Sequence, residues 1–168
     1  PDAGHIFLEV DMSQAEDRIV KVLAASRLPP GPRRDELLWR ARAQPWENDE
    51  HVRAAVAIFK VPLEQVTKAQ RYLAKRARHA GNYDMHGTRL SEELSKDGVI
   101  ITPDEGQRMI AAVVDHDTPE IRLWQREIRK RVMAERRLVN SWGRELSFEW
   151  TRLDDEAYRR GYAFLPQS

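Results

Sequence analysis

Hydrophobic and polar positions along the chain change period several times, and most of the segments read as helices. Residues 5–11, His-Ile-Phe-Leu-Glu-Val-Asp, are rich in β-branched and aromatic side chains and too short for a stable helix, which predicts a strand. Ser13 then stands as an N-cap, with Glu16 three residues on as its capping-box partner. The helix they open carries Ile19, Val20 and Leu23 on one face, and Leu28-Pro29-Pro30-Gly31-Pro32 closes it with a stiff loop. A charged helix is predicted over residues 33–42, and a stronger one from near Asp49 through His51 to Phe59, stopped at Pro62. Thr67 caps the next, which runs towards Tyr83; a shorter helix over residues 90–94 ends near Gly98. Thr102-Pro103-Asp104-Glu105 is a strong helix start, with Pro at the first helical position, and Thr118-Pro119-Glu120 repeats it. The second of these opens the longest helix, with Ile121, Trp124, Ile128 and Val132 at helical spacing. Asn140-Ser141-Trp142-Gly143 breaks that helix, residues 145–150 alternate like a short strand, and a last helix runs from near Asp154 or Asp155 to Leu165-Pro166. The predicted class is therefore mainly α, with short β elements near residues 6–11 and 144–150.

Composition narrows the picture. At 168 residues, 41% hydrophobic and 33% charged, the chain can build one domain with a real core. No apolar run approaches the roughly 20 residues of a membrane span. Pro1-Asp2-Ala3-Gly4 has neither the basic nor the apolar region of a signal peptide. The first residue is not Met, and the expectation is a segment of a longer chain. The absence of cysteine excludes disulfides, thiol nucleophiles and thiolate zinc sites. A formal net charge of +1 lends no support to nucleic-acid binding, so any such argument must rest on local charge patterning.

Three constellations carry candidate chemistry. Asp11-Met12-Ser13-Gln14-Ala15-Glu16-Asp17-Arg18 places a carboxylate at a strand end just before a helix. That position suits a divalent cation held together with substrate phosphates, and equally suits simple helix capping. Arg71, Lys75, Arg78 and His79 share one face of the helix leading to Tyr83, with no acidic residue between Glu64 and Asp84. The face reads either as a cationic stripe without partners, suited to a polyphosphate, or as a solvated basic surface; Tyr83 fits a core position as well. Asp115-His116-Asp117 has metal-ligand residue types but sits between two helices, where caps and loop are the simpler reading. Arg159 and Gln167, taken alone, carry no signal.

In order and spacing, these pieces resemble family A (DNA polymerase I-like) DNA polymerases. Asp11 to Arg18 is similar to that family's motif A, Asp-x-Ser-Gln-x-Glu-x-Arg, and Asp49-Glu50-His51 with Ala54, Ala55 and Phe59 to its Asp-x-His segment. Residues 61–67 resemble the linker into the O helix. Arg71 and Lys75, followed by Tyr83, match motif B, and Trp142-Gly143-Arg144 with Phe148 resembles the family's Gly-Arg hairpin. Arg159 and Pro166-Gln167 fall where the family has an Arg and a Gln before the rest of the palm. His79 stands where many members have Phe or Tyr, and Asp84 where Gly is usual. His79 and the Tyr-Ala-Phe-Leu-Pro-Gln ending resemble phage-type members more than bacterial repair enzymes.

The resemblance implies a fingers subdomain of a right-hand polymerase with an edge of the palm: residues 1–28 the palm edge with motif A, 29–143 the fingers, and 144–168 a hairpin and helix returning to the palm. It implies Asp11 as a metal-binding catalytic carboxylate assisted by the Met12 carbonyl, with two Mg²⁺ ions in the complete enzyme. Gln14, Glu16, His51, Arg71, Lys75, His79 and Tyr83 would form the nucleotide site. Glu16 would be the steric gate against a ribose 2′-hydroxyl, hydrogen-bonded to Tyr83. Arg71, Lys75 and His51 would hold the triphosphate, with Lys75 also catalytic, and His79 would pack against base and sugar. Tyr83, Arg159 and Gln167 would contact primer-template DNA. The implied partners are primer-template, deoxynucleoside triphosphates and the remaining palm and thumb, with no membrane, in the cytoplasm of a bacterium or phage-infected host. Motif C is not among the 168 residues, so they are expected to be inactive alone. A non-catalytic helical nucleic-acid-binding module would use the basic face without needing Asp11, Glu16 or His51. A degenerate polymerase is a further alternative, motivated by Asp84.

Overall fold

A computed structural model describes residues 14–166. The predicted strand over 5–11, together with Asp11, Met12, Ser13 and Gln167, lies outside them. Helix α1, Ala15–Ala25, starts behind Gln14, whose backbone is left-handed (φ 58°). Pro32 occupies the first position of α2, Pro32–Arg42, so the Pro-rich loop also starts a helix. Asp49 caps α3, Glu50–Phe59, by accepting from the backbone N–H groups of His51 (2.9 Å) and Val52 (3.3 Å). After a single 3-10 turn at Leu63–Gln65, Thr67 and Gln70 form a reciprocal capping box at the start of α4, Lys68–Asn82. Helix α5 spans Gly87–Lys96, a turn longer at its start than the apolar pattern predicts. Thr102 and Glu105 box the start of α6, Pro103–Ala111.

Thr118 departs from expectation. Helix α6 runs on into a π-helical turn, Ala112–Asp117, closed by the Thr118 N–H on the Val113 carbonyl (2.9 Å). Thr118 is fully buried and its hydroxyl donates to Asp117 (2.9 Å) rather than capping α7, Glu120–Glu135. Its hydroxyl donates to a buried carboxylate instead of accepting from the free N–H groups at the start of the next helix. Two short antiparallel strands follow, β1 Arg137–Val139 and β2 Glu145–Ser147, paired Leu138 to Leu146. Asn140 folds the turn between them by accepting from the N–H groups of Trp142 and Arg144, both at 2.9 Å. Asp154 caps α8, Asp155–Phe164.

Helix α3 packs on α4, α5 on α6, α1 on α2 and α7, and α7 on α8. One apolar cluster runs through these contacts, from Val20 and Ala24 through Ala74, Ala77, Ile110 and Val113 to Trp124, Ile128, Phe148 and Tyr162. Small residues on α3 and α4, Ala54, Ala55, Ala74 and Ala77, are fully buried and let those two helices approach closely. At the crossing of α5 and α6 the backbones of Gly87 and Gly106 touch, and a Cβ on either would collide with backbone of the other helix. Among the described residues, no helix is long and apolar enough to cross a membrane. The class is mainly helical with short β elements, as the pattern predicts, but α7 stops at Glu135 and residues 137–139, expected to continue it, pair as β1 with β2.

Candidate functional site

The N-terminus of α1, the start of α3 and one face of α4 converge on a cleft of about 370 Å³. Gln14, Glu16, His51, Arg71, Lys75, Arg78, His79 and Asn82 line it. Six of the seven residues expected to form a nucleotide site are thus side by side although they are up to 65 positions apart. The seventh, Tyr83, is buried beside them and donates its hydroxyl to a Glu16 carboxylate oxygen at 2.8 Å. The His79 ring meets the Tyr83 ring edge-on, with centroids 4.7 Å apart, and His79 Nδ1 is 3.6 Å from Glu16. A second cleft begins on the far side of His79 and Tyr83 and is walled by Arg159 and Arg160 of α8 together with Arg89 and Thr88 of α5. Arg159 there pairs with Glu156 one turn back, at 3.1 Å.

The expectation that the cationic face of α4 lacks partners is corrected. Arg71 donates to Asp49 at 2.8 Å, and the same carboxylate accepts from Gln14 Nε2 at 3.4 Å. Arg78 is fully buried and its guanidinium pairs with Asp117, with Glu50 at 3.6 Å and with Asp17 at 3.7 Å. The acids come from α1, α3 and the π turn, which no window along α4 contains. Lys75 is exposed and makes no ion pair or hydrogen bond among the described residues.

Arg78 belongs to a buried set of three cations and three carboxylates. Lys21 of α1 lies against Asp17 and is 2.9 Å from Glu50. Arg40 of α2 forks onto both Glu50 oxygens (2.8 and 2.7 Å) and reaches Asp117 (2.8 Å). Asn48 donates to Glu50 (2.6 Å) and Asn82 to Asp17 (3.3 Å). Burial by itself would raise the Glu50 and Asp117 carboxyls, but the guanidiniums of Arg40 and Arg78, and Lys21 beside Glu50, outweigh it and hold both well below the usual range. The set ties α1, α2, α3, α4 and the π turn together, and so fixes the wall from which Lys75 and Arg71 project. Asp117, Asp49 and Arg78 are the residues that sequence reasoning undervalued. Asp117 was legible only as a cap or loop residue, and Asp49 only as a helix start and as part of the Asp-x-His segment, without a partner.

His51 is the remaining titratable group in the cleft. It is nearly buried, its Nδ1 has no partner among the described residues, and burial lowers its pKa from 6.5 to about 4 despite the nearby Asp17 and Asp49. At neutral pH it is therefore an uncharged imidazole. Between pH 6.5 and about 4 the unfolded chain binds a proton that the folded one does not, so stability falls as pH drops through that window. The cost is up to about 1.4 kcal/mol per pH unit. Denaturant midpoints measured from pH 7 to 4 should decline, and His51→Gln should flatten that decline. An unchanged slope would mean His51 is charged in the fold.

Among the described residues, no group of three or more His, Asp or Glu side chains gathers as a metal centre, Asp115-His116-Asp117 included. Asp115 instead pairs with Arg122 (3.3 Å). Asp11 and Met12, the residues expected to bind Mg²⁺, lie outside the described part.

The described residues form a helical unit that presents a carboxylate, an imidazole and cations to one cleft. The chain belongs to DNA polymerase family A, whose sequence model matches residues 1–163. Among solved structures it is similar to the "POL domain of Pol1 from M. smegmatis complex with DNA primer-template and dNTP", with a TM-score of 0.71 and 21% identity. The match covers 94% of this chain and 26% of that one, so the chain spans about a quarter of that length. No curated protein matches it.

Proposed function

We propose that these residues form the fingers, with an edge of the palm, of a template-directed DNA polymerase that adds deoxynucleotides to a primer 3′ end. The observation that carries the reading is the single cleft uniting Glu16, His51, Arg71, Lys75 and His79, with Tyr83 bonded to Glu16. A non-catalytic basic module has no use for a buried imidazole and a Glu–Tyr pair beside its cations. Family membership and the likeness to a polymerase bound to primer-template and dNTP support it further.

In this reading residues 1–28 are the palm edge with motif A, 29–143 the fingers with motif B on α4, and 144–168 the hairpin and helix returning to the palm. Lys75 and Arg71 hold the triphosphate, and His51 donates to it from the side. Phosphoryl transfer asks mainly for charge neutralisation and alignment, which two cations on a rigid helix can supply. Lys75, exposed and unpaired among the described residues, is the group placed to meet charge developing on the leaving phosphates. His79 and Tyr83 border the base and sugar. Arg159 and Gln167 contact primer-template, which would lie along the second cleft. The donor set of Asp11 and the Met12 carbonyl, both hard oxygens, is the chemistry Mg²⁺ takes. Mg²⁺ held there would neutralise phosphate charge and polarise the attacking and leaving oxygens. His79 and the ending Tyr162-Ala163-Phe164-Leu165-Pro166-Gln167 support a phage-type reading of that polymerase.

Glu16, held upright by the Tyr83 hydroxyl, blocks the space a ribose 2′-hydroxyl would need. In the polymerase containing these residues, Glu16→Ala should lower the ratio of deoxynucleotide to ribonucleotide incorporation by about tenfold, the scale of discrimination by a small steric difference. A variant that polymerises with an unchanged ratio would place the gate elsewhere.

A further inference from the structure

Asp84 follows Tyr83 directly and stands where the resemblance has glycine. Its backbone is left-handed (φ 54°), a conformation that suits glycine and that Asp tolerates better than most side chains. A side chain kept in such a position is expected to have work to do. Here its two oxygens divide between two arginines of α7. Oδ1 accepts from Arg122 Nη1 at 2.6 Å and Oδ2 from Arg129 Nη2 at 2.7 Å. Gln125, on the same face between them, donates Nε2 to the carbonyls of Gly81 (2.8 Å) and Asn82 (3.1 Å) in the last turn of α4. Three side chains of α7 therefore grip the last turn of α4 on both sides of Tyr83. Arg129 carries the tie onward to α8, where its Nε donates to the Tyr162 hydroxyl (2.6 Å) and its guanidinium lies over the Tyr158 ring (4.7 Å).

We propose that Asp84 is a positioning residue for the nucleotide site: by clamping the end of α4 to Arg122 and Arg129, it holds the Tyr83 hydroxyl on Glu16. Asp84 touches no substrate and acts through Tyr83. The inference rests on the reading of Glu16 and Tyr83 as the sugar gate. With glycine at 84 the turn gains conformational freedom and both arginines lose this acceptor, Arg122 keeping Asp115 (3.3 Å) and Arg129 the Tyr162 hydroxyl (2.6 Å), so Tyr83 is held less firmly on Glu16.

The test compares wild type, Asp84→Gly, Asp84→Asn and Glu16→Ala in the complete polymerase containing these residues. Each is assayed with a deoxynucleoside triphosphate and its matching ribonucleoside triphosphate on one primer-template. Asp84→Gly should lower the deoxy-to-ribo ratio and raise the apparent nucleotide constant, each by about tenfold, the scale of losing one partly exposed charge-assisted contact. Asp84→Asn keeps one acceptor and the tolerance for a left-handed backbone, so it should fall between wild type and glycine. In the Glu16→Ala background, Asp84→Gly should leave the ratio where Glu16→Ala alone puts it, because the gate is already gone. Overturning results are a ratio and nucleotide constant within twofold of wild type in Asp84→Gly, or a lowered melting temperature with an unchanged ratio. Should the glycine variant not fold, Asp84→Asn decides: wild-type ratio and constant would end the proposal. A wild-type enzyme that incorporates nothing would sink the polymerase reading and this inference together. An active wild type with an indifferent Asp84→Gly would sink this inference alone.

Discussion

Arg78→Ala should lower the unfolding free energy by about 3–5 kcal/mol, the cost of removing one partner from a buried ion pair. The guanidinium is fully buried among three carboxylates, Asp117, Glu50 and Asp17, and balances a set that is otherwise one charge negative. Alanine leaves those carboxylates without compensation, in a region where water does not reach them. The surviving cations, Lys21 and Arg40, already have their own short contacts to Asp17, Glu50 and Asp117 and cannot cover the loss. Denaturant unfolding of wild type, Arg78→Ala, Asp117→Ala and the double variant checks this. The double variant should be less destabilised than the sum of the singles by at least about 1 kcal/mol, since removing both charges restores neutrality. Additive effects, or a single variant within about 0.5 kcal/mol of wild type, would mean that Arg78 is solvated in the folded protein. This arginine is structural, although the helical pattern puts it in the same stripe as Arg71 and Lys75.

Lys75→Ala should reduce the efficiency of nucleotide use by about 10- to 150-fold, the equivalent of one charge-assisted phosphate contact of about 1.5–3 kcal/mol. Binding of primer-template should change by less than about twofold, because the lysine faces the cleft with Glu16 and His51 rather than the one walled by Arg159. Where the contact tightens in the transition state, the incorporation rate falls along with the apparent affinity. Arg71→Ala should act in the same direction but less strongly. Arg71 already shares its charge with Asp49, so part of its interaction with a triphosphate is spent on replacing that partner. Two titrations on the polymerase separate this from a plain basic DNA-binding face: one in nucleotide, and one in duplex at two salt concentrations. A DNA-binding face predicts weaker duplex binding, a salt slope reduced by about one unit per lost contact, and a flat nucleotide response. That outcome would remove the motif B assignment and, with its register, the roles given to His79 and Tyr83.

What the sequence determined by itself is local. The capping residues Asp49, Thr67, Thr102 and Asp154 announce the starts of α3, α4, α6 and α8, because a side-chain acceptor and the N–H groups it satisfies lie within three residues. The order of Glu16, His51, Arg71, Lys75 and Tyr83 was also enough to resemble a polymerase, since a motif is read along the chain. Tertiary structure decided which charges are available. Arg71, Lys75 and Arg78 are alike in sequence, three cations on one helical face. Yet Asp49 takes a share of the first, the second has no partner among the described residues, and Asp117 with Glu50 buries the third. Thr118 looked like a further cap and instead became a buried donor to Asp117, at the close of a π turn. Asp84 looked like an anomaly until two arginines, 38 and 45 positions away, gave its left-handed turn a reason. A side chain's charge is fixed by its identity, but its partners are set by which elements pack against it, and distant acids on α1, α3 and the π turn leave no mark on the spacing within α4.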